Sequence, residues 1–119
     1  MGMTTVRAHL ANVLDRSRQV DADMTVDSGA IYSVVPASLL RSIDVRPERT
    51  ETFWLADGRS VRRRIGHVAF EIGGCEGISR VIFGRPGDAC LLGMVTLEEL
   101  GLGLDPLKRR LRPLKLMIA

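Results

Sequence analysis

The stretch Met24-Thr25-Val26-Asp27-Ser28-Gly29-Ala30-Ile31 puts a carboxylate at the end of an apolar run, directly before a hydroxyl residue and a glycine. An acid in that setting is presented where a strand opens into a turn. Ser28 can hold the turn through its hydroxyl, and Gly29 lets the backbone approach a partner closely or take a conformation that a Cβ would forbid. Such a carboxylate can serve as a general base toward water. Asp-Ser-Gly is also a common turn tripeptide, so these residues alone leave both readings open. Other chemistries have less to work with. The two cysteines, Cys75 and Cys90, do not form a Cys-x-x-Cys pair, and His9 and His67 stand without the spaced partners of a zinc site. No metal and no cofactor are expected, and both cysteines read as reduced, half-buried thiols of a cytoplasmic protein.

The elements around Asp27 read as short strands separated by turns. Residues 4–12 alternate polar and apolar side chains at the period of a half-buried strand, and residues 20–26 return as its hairpin partner. Residues 31–35 form a β-branched run ended by Pro36, which cannot donate to a ladder. Residues 36–43 then suit a short helix with proline in its first turn. A second hairpin is expected over residues 52–61, turning at Asp57-Gly58. Residues 65–72 alternate up to Gly73-Gly74, and residues 79–83 make a further strand. Near the C-terminus Thr96-Leu97-Glu98-Glu99 fits a capping box, which predicts a helix starting at Thr96 and closed by a left-handed Gly101. Beyond Asp105-Pro106 basic and apolar residues alternate to the chain end, as in an edge or interface strand.

Composition narrows the possibilities. Hydrophobic residues make up 45% and charged residues 26% of the 119 positions, the balance of one globular domain over residues 1–119. A chain of this size buries about two thirds of its unfolded surface, enough for a core without staples. Aromatics are only 4%, so aliphatic side chains must build that core. No apolar run approaches the ~18 residues that span a bilayer, and no secretory signal opens the chain, so no membrane partner is expected. The net charge is +3 and the pI near 9.4, with basic clusters at Arg62-Arg63-Arg64 and from Lys108 to Lys115. No aromatic residues are interleaved with them for base stacking. They read as solvated strand faces and turn ends, and a nucleic-acid partner is not expected.

The order of these features is more informative than any one of them. Val26-Asp27-Ser28-Gly29-Ala30 is followed by Ser33-Val34-Val35-Pro36-Ala37-Ser38-Leu39-Leu40, then by Trp54-Leu55-Ala56-Asp57-Gly58-Arg59-Ser60-Val61, then by Leu91-Leu92-Gly93 leading into a helix. This set resembles a retroviral-type (retropepsin-like) aspartic protease in its single-domain bacterial form, over nearly the whole span from Thr4 to Pro113. The sequence departs from the pattern in its flap tip, which is not glycine-rich, in Ser28 where many bacterial relatives have Thr, and in a longer, more basic C-terminal segment.

The resemblance implies a mostly β fold: a small closed barrel with a flap hairpin and one or two short helices, acting as one subunit of a two-fold dimer. It implies an aspartic endopeptidase acting on extended polypeptides, with Asp27 as the catalytic residue. Such enzymes use two carboxylates that share a proton, one activating water while the other polarises the scissile carbonyl. The chain holds one Asp-Ser-Gly, so the second must come from another copy, which makes a homodimer the expected partner. Ser28, Gly29 and Ala30 would support the active-site loop. Trp54, Leu55, Ala56, Asp57, Gly58 and Arg59 would form the flap over the substrate. Trp54 can be a subsite wall or pack beneath its own hairpin, and Tyr32 is expected to pack inside the barrel. The other reading of the same fold is a non-catalytic dimeric domain that binds extended peptides or serves only to dimerise a larger assembly.

Overall fold

A computed structural model describes residues 3–105, 107–115 and 118. The alternating N-terminal segments form the expected antiparallel hairpin, β1 (Thr4–Ala11) and β2 (Gln19–Val26), with Thr4 opposite Val26 and Ala11 opposite Gln19. Ala8, Leu10, Ala22, Met24 and Val26 turn inward and are buried, while Arg7 and His9 face out and pair with Asp23 and Asp21. The buried Asn12 ends β1. Its Nδ2 donates to the carbonyls of Ile43 and Asp44, and its Oδ1 accepts from the amides of Leu14 and Asp15, so each polar atom is satisfied.

The remaining elements follow as β3 (Ser33–Pro36), α1 (Ala37–Ser42), β4 (Arg49–Trp54), β5 (Ser60–Ile72), β6 (Cys75–Gly84), β7 (Leu91–Leu92), α2 (Met94–Leu100), β8 (Leu102–Asp105) and β9 (Arg110–Pro113). The large sheet runs β1-β2-β7-β3-β6-β5-β4, and β1 also pairs with β5. That extra pairing, with Leu10 opposite Phe70, bends the sheet into a ring and leaves only β4 outside it. Leu10, Met24, Val35, Leu40, Val68, Phe70, Val81, Leu92 and Leu97 fill the interior. As the composition requires, this core is almost wholly aliphatic. Among the described residues no helix is long and apolar enough to cross a membrane.

Several boundaries differ from the sequence reading. β6 begins at Cys75 rather than at residue 79, because Gly73 and Gly74 both take positive φ and make a two-residue turn that pairs Ile72 with Cys75. β3 begins at Ser33, leaving Ile31 exposed. The capping box at Thr96 does not form. Helix α2 starts two residues earlier, after Gly93, and has no side-chain cap. Thr96 is instead fully buried, its hydroxyl bonded to those of Ser33 at 2.5 Å and Ser79 at 2.9 Å. Gly101 closes the helix at φ 70°, as expected. The C-terminal strand is shorter than expected. β9 pairs only with β8, in a separate two-stranded sheet, and Pro106, Leu116, Met117 and Ala119 lie outside the described residues.

Candidate active site

Asp27 leaves the end of β2 and starts a turn whose geometry follows from its neighbours. Its backbone N–H donates to the carbonyl of Leu92 at 3.2 Å, continuing the parallel pairing of β2 with β7. The amide of Ala30 donates back to the Asp27 carbonyl at 3.0 Å, and the amide of Gly29 donates to the Asp27 carboxylate Oδ1 at 2.8 Å. A Cβ on Gly29 would lie 3.3 Å from that oxygen, so a residue without a side chain lets the carboxylate fold over the turn. Asp27 is half-buried, while Ser28 and Gly29 are exposed.

The far side of the turn is bolted to α2. The amides of Met94 and Val95 donate to the carbonyls of Ala30 and Ile31, both at 2.9 Å. Gly93 is wedged between: its amide donates to the Ser33 hydroxyl at 3.0 Å, and a Cβ there would lie 2.5 Å from the carbonyl carbon of Tyr32. The buried hydroxyls of Ser33, Thr96 and Ser79 thus tie β3, α2 and β6 together directly behind the Asp27 turn.

The hairpin of β4 and β5 stands opposite. Its tip is a three-residue loop in which Leu55 donates to the Arg59 carbonyl and Gly58, at φ 89°, occupies the left-handed bulge position. The turn therefore centres on Ala56-Asp57 rather than on Asp57-Gly58. Asp57 caps it, accepting from the Arg59 amide at 3.0 Å and from its Nε at 2.7 Å. Between hairpin and turn runs a groove of about 560 Å³, lined by Gly29 and Ala30 on one wall and by Trp54, Leu55 and Ala56 on the other. Asp57, Gly58 and Arg59 build the tip and do not line it; on the other wall neither Asp27 nor Ser28 lines it, and Gly29 and Ala30, the residues that follow them, do.

The chain resembles the solution structure of simian foamy virus (mac) protease, with a TM-score of 0.56 and 21% identity over 79% of this chain and 91% of that one. The fold is that of a retroviral-type aspartic protease. No protein-family model matches the sequence, and no curated relative does.

Within this retropepsin fold several groove residues were not anticipated. Tyr32 faces the groove rather than the barrel interior, because Ser33 and Val35 take the inward positions of β3. It meets Phe53 edge-on, with ring centroids 5.8 Å apart. Trp54 is 73% exposed on the groove wall and does not pack beneath its hairpin. A smaller apolar cavity of about 280 Å³ adjoins the groove, with Val34, Phe53, Leu55, Val61 and Ile82 among its walls. The Cys90 thiol, free like that of Cys75, lies beside β7. Burial, with a smaller contribution from the Asp23 charge, pushes it above its ordinary value, so it is a poor nucleophile at neutral pH. Among the described residues no cluster of three or more potential metal ligands occurs.

One ion pair holds the hairpin to the body. Of the basic cluster at 62–64, Arg62 and Arg64 are exposed as expected, but Arg63 turns inward and donates to Asp88 through Nε at 3.0 Å and Nη2 at 3.3 Å. The Arg63 hydrogen bond, helped by the Arg85 amide and the two guanidinium charges, holds the Asp88 carboxyl below its ordinary value. A lowered folded value means that its stabilisation is complete above the unfolded carboxyl value, about 3.9, and is lost as pH falls through the folded one. Asp88→Asn is therefore expected to cost about 1 kcal/mol at pH 7, with the gap closing toward pH 2, where both side chains are neutral. Thermal melts of both proteins at the two pH values check this; a gap of unchanged size at low pH would contradict it.

Proposed function

We propose that the chain is an aspartic endopeptidase that works as a homodimer, its two Asp27 carboxylates meeting on the dimer axis. The observation that carries this reading is the groove itself, with Gly29 and Ala30, two and three residues after Asp27, on one wall and an exposed hairpin on the other. The chemistry follows from the residues. Oδ1 of Asp27 is occupied by the Gly29 amide, and the exposed Ser28-Gly29 corner leaves room for a second turn to approach. Two such turns face to face bring two carboxylates within reach of one water. Like charges so close share a single proton, so one acid is ionised to take a proton from water and the other can donate to the scissile carbonyl. The hairpin from Trp54 to Arg59 serves as a flap that covers the substrate and excludes bulk water. An extended peptide beneath it binds through backbone hydrogen bonds, as an added strand does. In this reading residues 1–119 act as a single catalytic domain of the bacterial type, with polypeptide substrates in the cytoplasm.

The test is cleavage of an unfolded protein substrate between about pH 4 and pH 9, at chain concentrations from micromolar to nanomolar. A dyad sharing one proton gives a bell-shaped profile on the acidic side of neutral. A monomer has half a site, so turnover per chain should fall on dilution. A rate still rising above pH 8, or turnover independent of concentration throughout, would overturn the paired-acid mechanism. Peptide binding without cleavage at any pH is the outcome that favours a non-catalytic binding domain.

A further inference from the structure

We infer that Arg80 makes one subsite of the groove selective for a carboxylate, so that substrates carry Asp or Glu at a single position near the scissile bond. The inference rests on the protease reading for its substrate but on separate residues for its chemistry. Arg80 lies on β6 between the buried Ser79 and Val81, so its side chain leaves the core and enters the groove wall. Its guanidinium carbon sits 5.4 Å from the centre of the Tyr32 ring, and Tyr32 in turn abuts Phe53 of the flap strand. The three side chains form one wall running from the flap to β6. The cation–π contact with the ring holds the guanidinium in place at the groove wall.

The guanidinium has no acidic partner within ion-pair distance. Among the described residues every carboxylate within 4.0 Å of a cationic side chain is matched to a group other than Arg80. The one acid in the groove wall, Glu51, takes the Nε of Arg49 at 2.6 Å. The Arg49 hydrogen bond, with smaller contributions from the charges of Arg49 and Arg80, holds the Glu51 carboxyl below its ordinary value, so Glu51 pairs with Arg49 first, and the rest of the lining is uncharged. On its other side Arg80 shares a shallow hollow with Glu99 of α2, outside ion-pair distance. The groove therefore presents one half-buried cation with no carboxylate within 4.0 Å, and its planar donors match a carboxylate in bidentate fashion. Side chains of an extended peptide alternate in direction, so a fixed guanidinium can reach one substrate position and not its immediate neighbours.

The experiment uses mixture-based decapeptides in which each position in turn is fixed as Glu, Gln or Lys. At one position the wild-type protein should show kcat/KM about tenfold higher for Glu than for Gln and about a hundredfold higher than for Lys, with the difference mostly in KM. Arg80→Glu should reverse the order toward Lys, and Arg80→Lys should keep the sign while reducing the size. Thermal melts establish that both variants are folded. The same peptides, labelled with fluorescein, are also bound to the Asp27→Asn protein, which reports the subsite without hydrolysis. Cleavage with no Glu–Lys discrimination at any position overturns the subsite and leaves the protease reading standing. Discrimination in binding, reversed by R80E, with no cleavage by wild type overturns the protease reading and supports the subsite. Neither binding discrimination nor cleavage overturns both.

Discussion

Asp27→Asn is expected to reduce peptide cleavage by three orders of magnitude or more, roughly the upper range for loss of a general acid–base group. An amide can neither take a proton from water nor share one with its partner, so a dimer with two Asn residues has no route to activate the nucleophile. Folding should scarcely notice the change. The Asn Oδ1 can still accept the Gly29 amide that Asp27 Oδ1 accepts at 2.8 Å, and the residue is only half-buried. The melting temperature should therefore stay within about 3 °C of wild type. Mixing adds a sharper measurement. Excess Asp27→Asn chain should suppress wild-type activity in proportion to the mixed dimers formed, because each of these holds one carboxylate. Residual cleavage above a tenth of wild type, or no suppression on mixing, would place hydrolysis elsewhere.

Gly93→Ala is expected to be the most damaging small substitution in the chain. Its φ of −92° is available to any residue, so the demand for glycine is one of space and not of backbone conformation. The added methyl would lie 2.5 and 2.6 Å from the Tyr32 carbonyl carbon and oxygen, both backbone atoms that cannot swing away. Relief requires β3 and α2 to separate. That movement strains the Ser33–Thr96–Ser79 hydroxyl network and the two amide bonds holding the Asp27 turn. Overpacking of this kind costs roughly 3 kcal/mol, a fall of about 10 °C in melting temperature at this chain length. Gly87→Ala is the control. It has a positive φ but open space around the missing Cβ, and should cost about 1 kcal/mol. Equal losses in the two variants would show that crowding at Gly93 is not what matters.

The parts of this molecule that were legible in the sequence are those fixed by local pattern. The alternation from Thr4 to Val26 gave the first hairpin almost to the residue, and Asp57-Gly58 marked the tip of the second. The Asp27 turn was legible because the glycine two residues on has a local purpose, donating to the aspartate side chain. What escaped depends on long-range partners. Thr96 followed by Glu99 has the form of a cap, yet the deciding contacts are hydroxyls 63 and 17 residues away. The phase of β3 was misread for a related reason. A tyrosine beside a serine suggests the ring inside and the hydroxyl outside. Ser33 is drawn in because Gly93 and Thr96 need its oxygen, and that turns Tyr32 toward the groove. Arg80 and Glu51 carried no motif at all. Only the folded sheet places them on one wall.

The shortness of β7 has a consequence for the order in which the molecule is made. The hairpins β1–β2 and β5–β6 join neighbouring segments and form early, since little chain must be closed to make them. Residues 91 and 92 must instead return across the molecule and slot between β2 and β3, closing the ring with only Thr25, Val26 and Val34 to pair with. A chain emerging during synthesis thus carries Asp27 long before anything holds it in position. Its turn becomes rigid only when Leu92 docks and Gly93 seats against Tyr32. On the role proposed for Asp27, incomplete copies would be inactive, because the turn that carries it takes its final geometry among the last acts of folding.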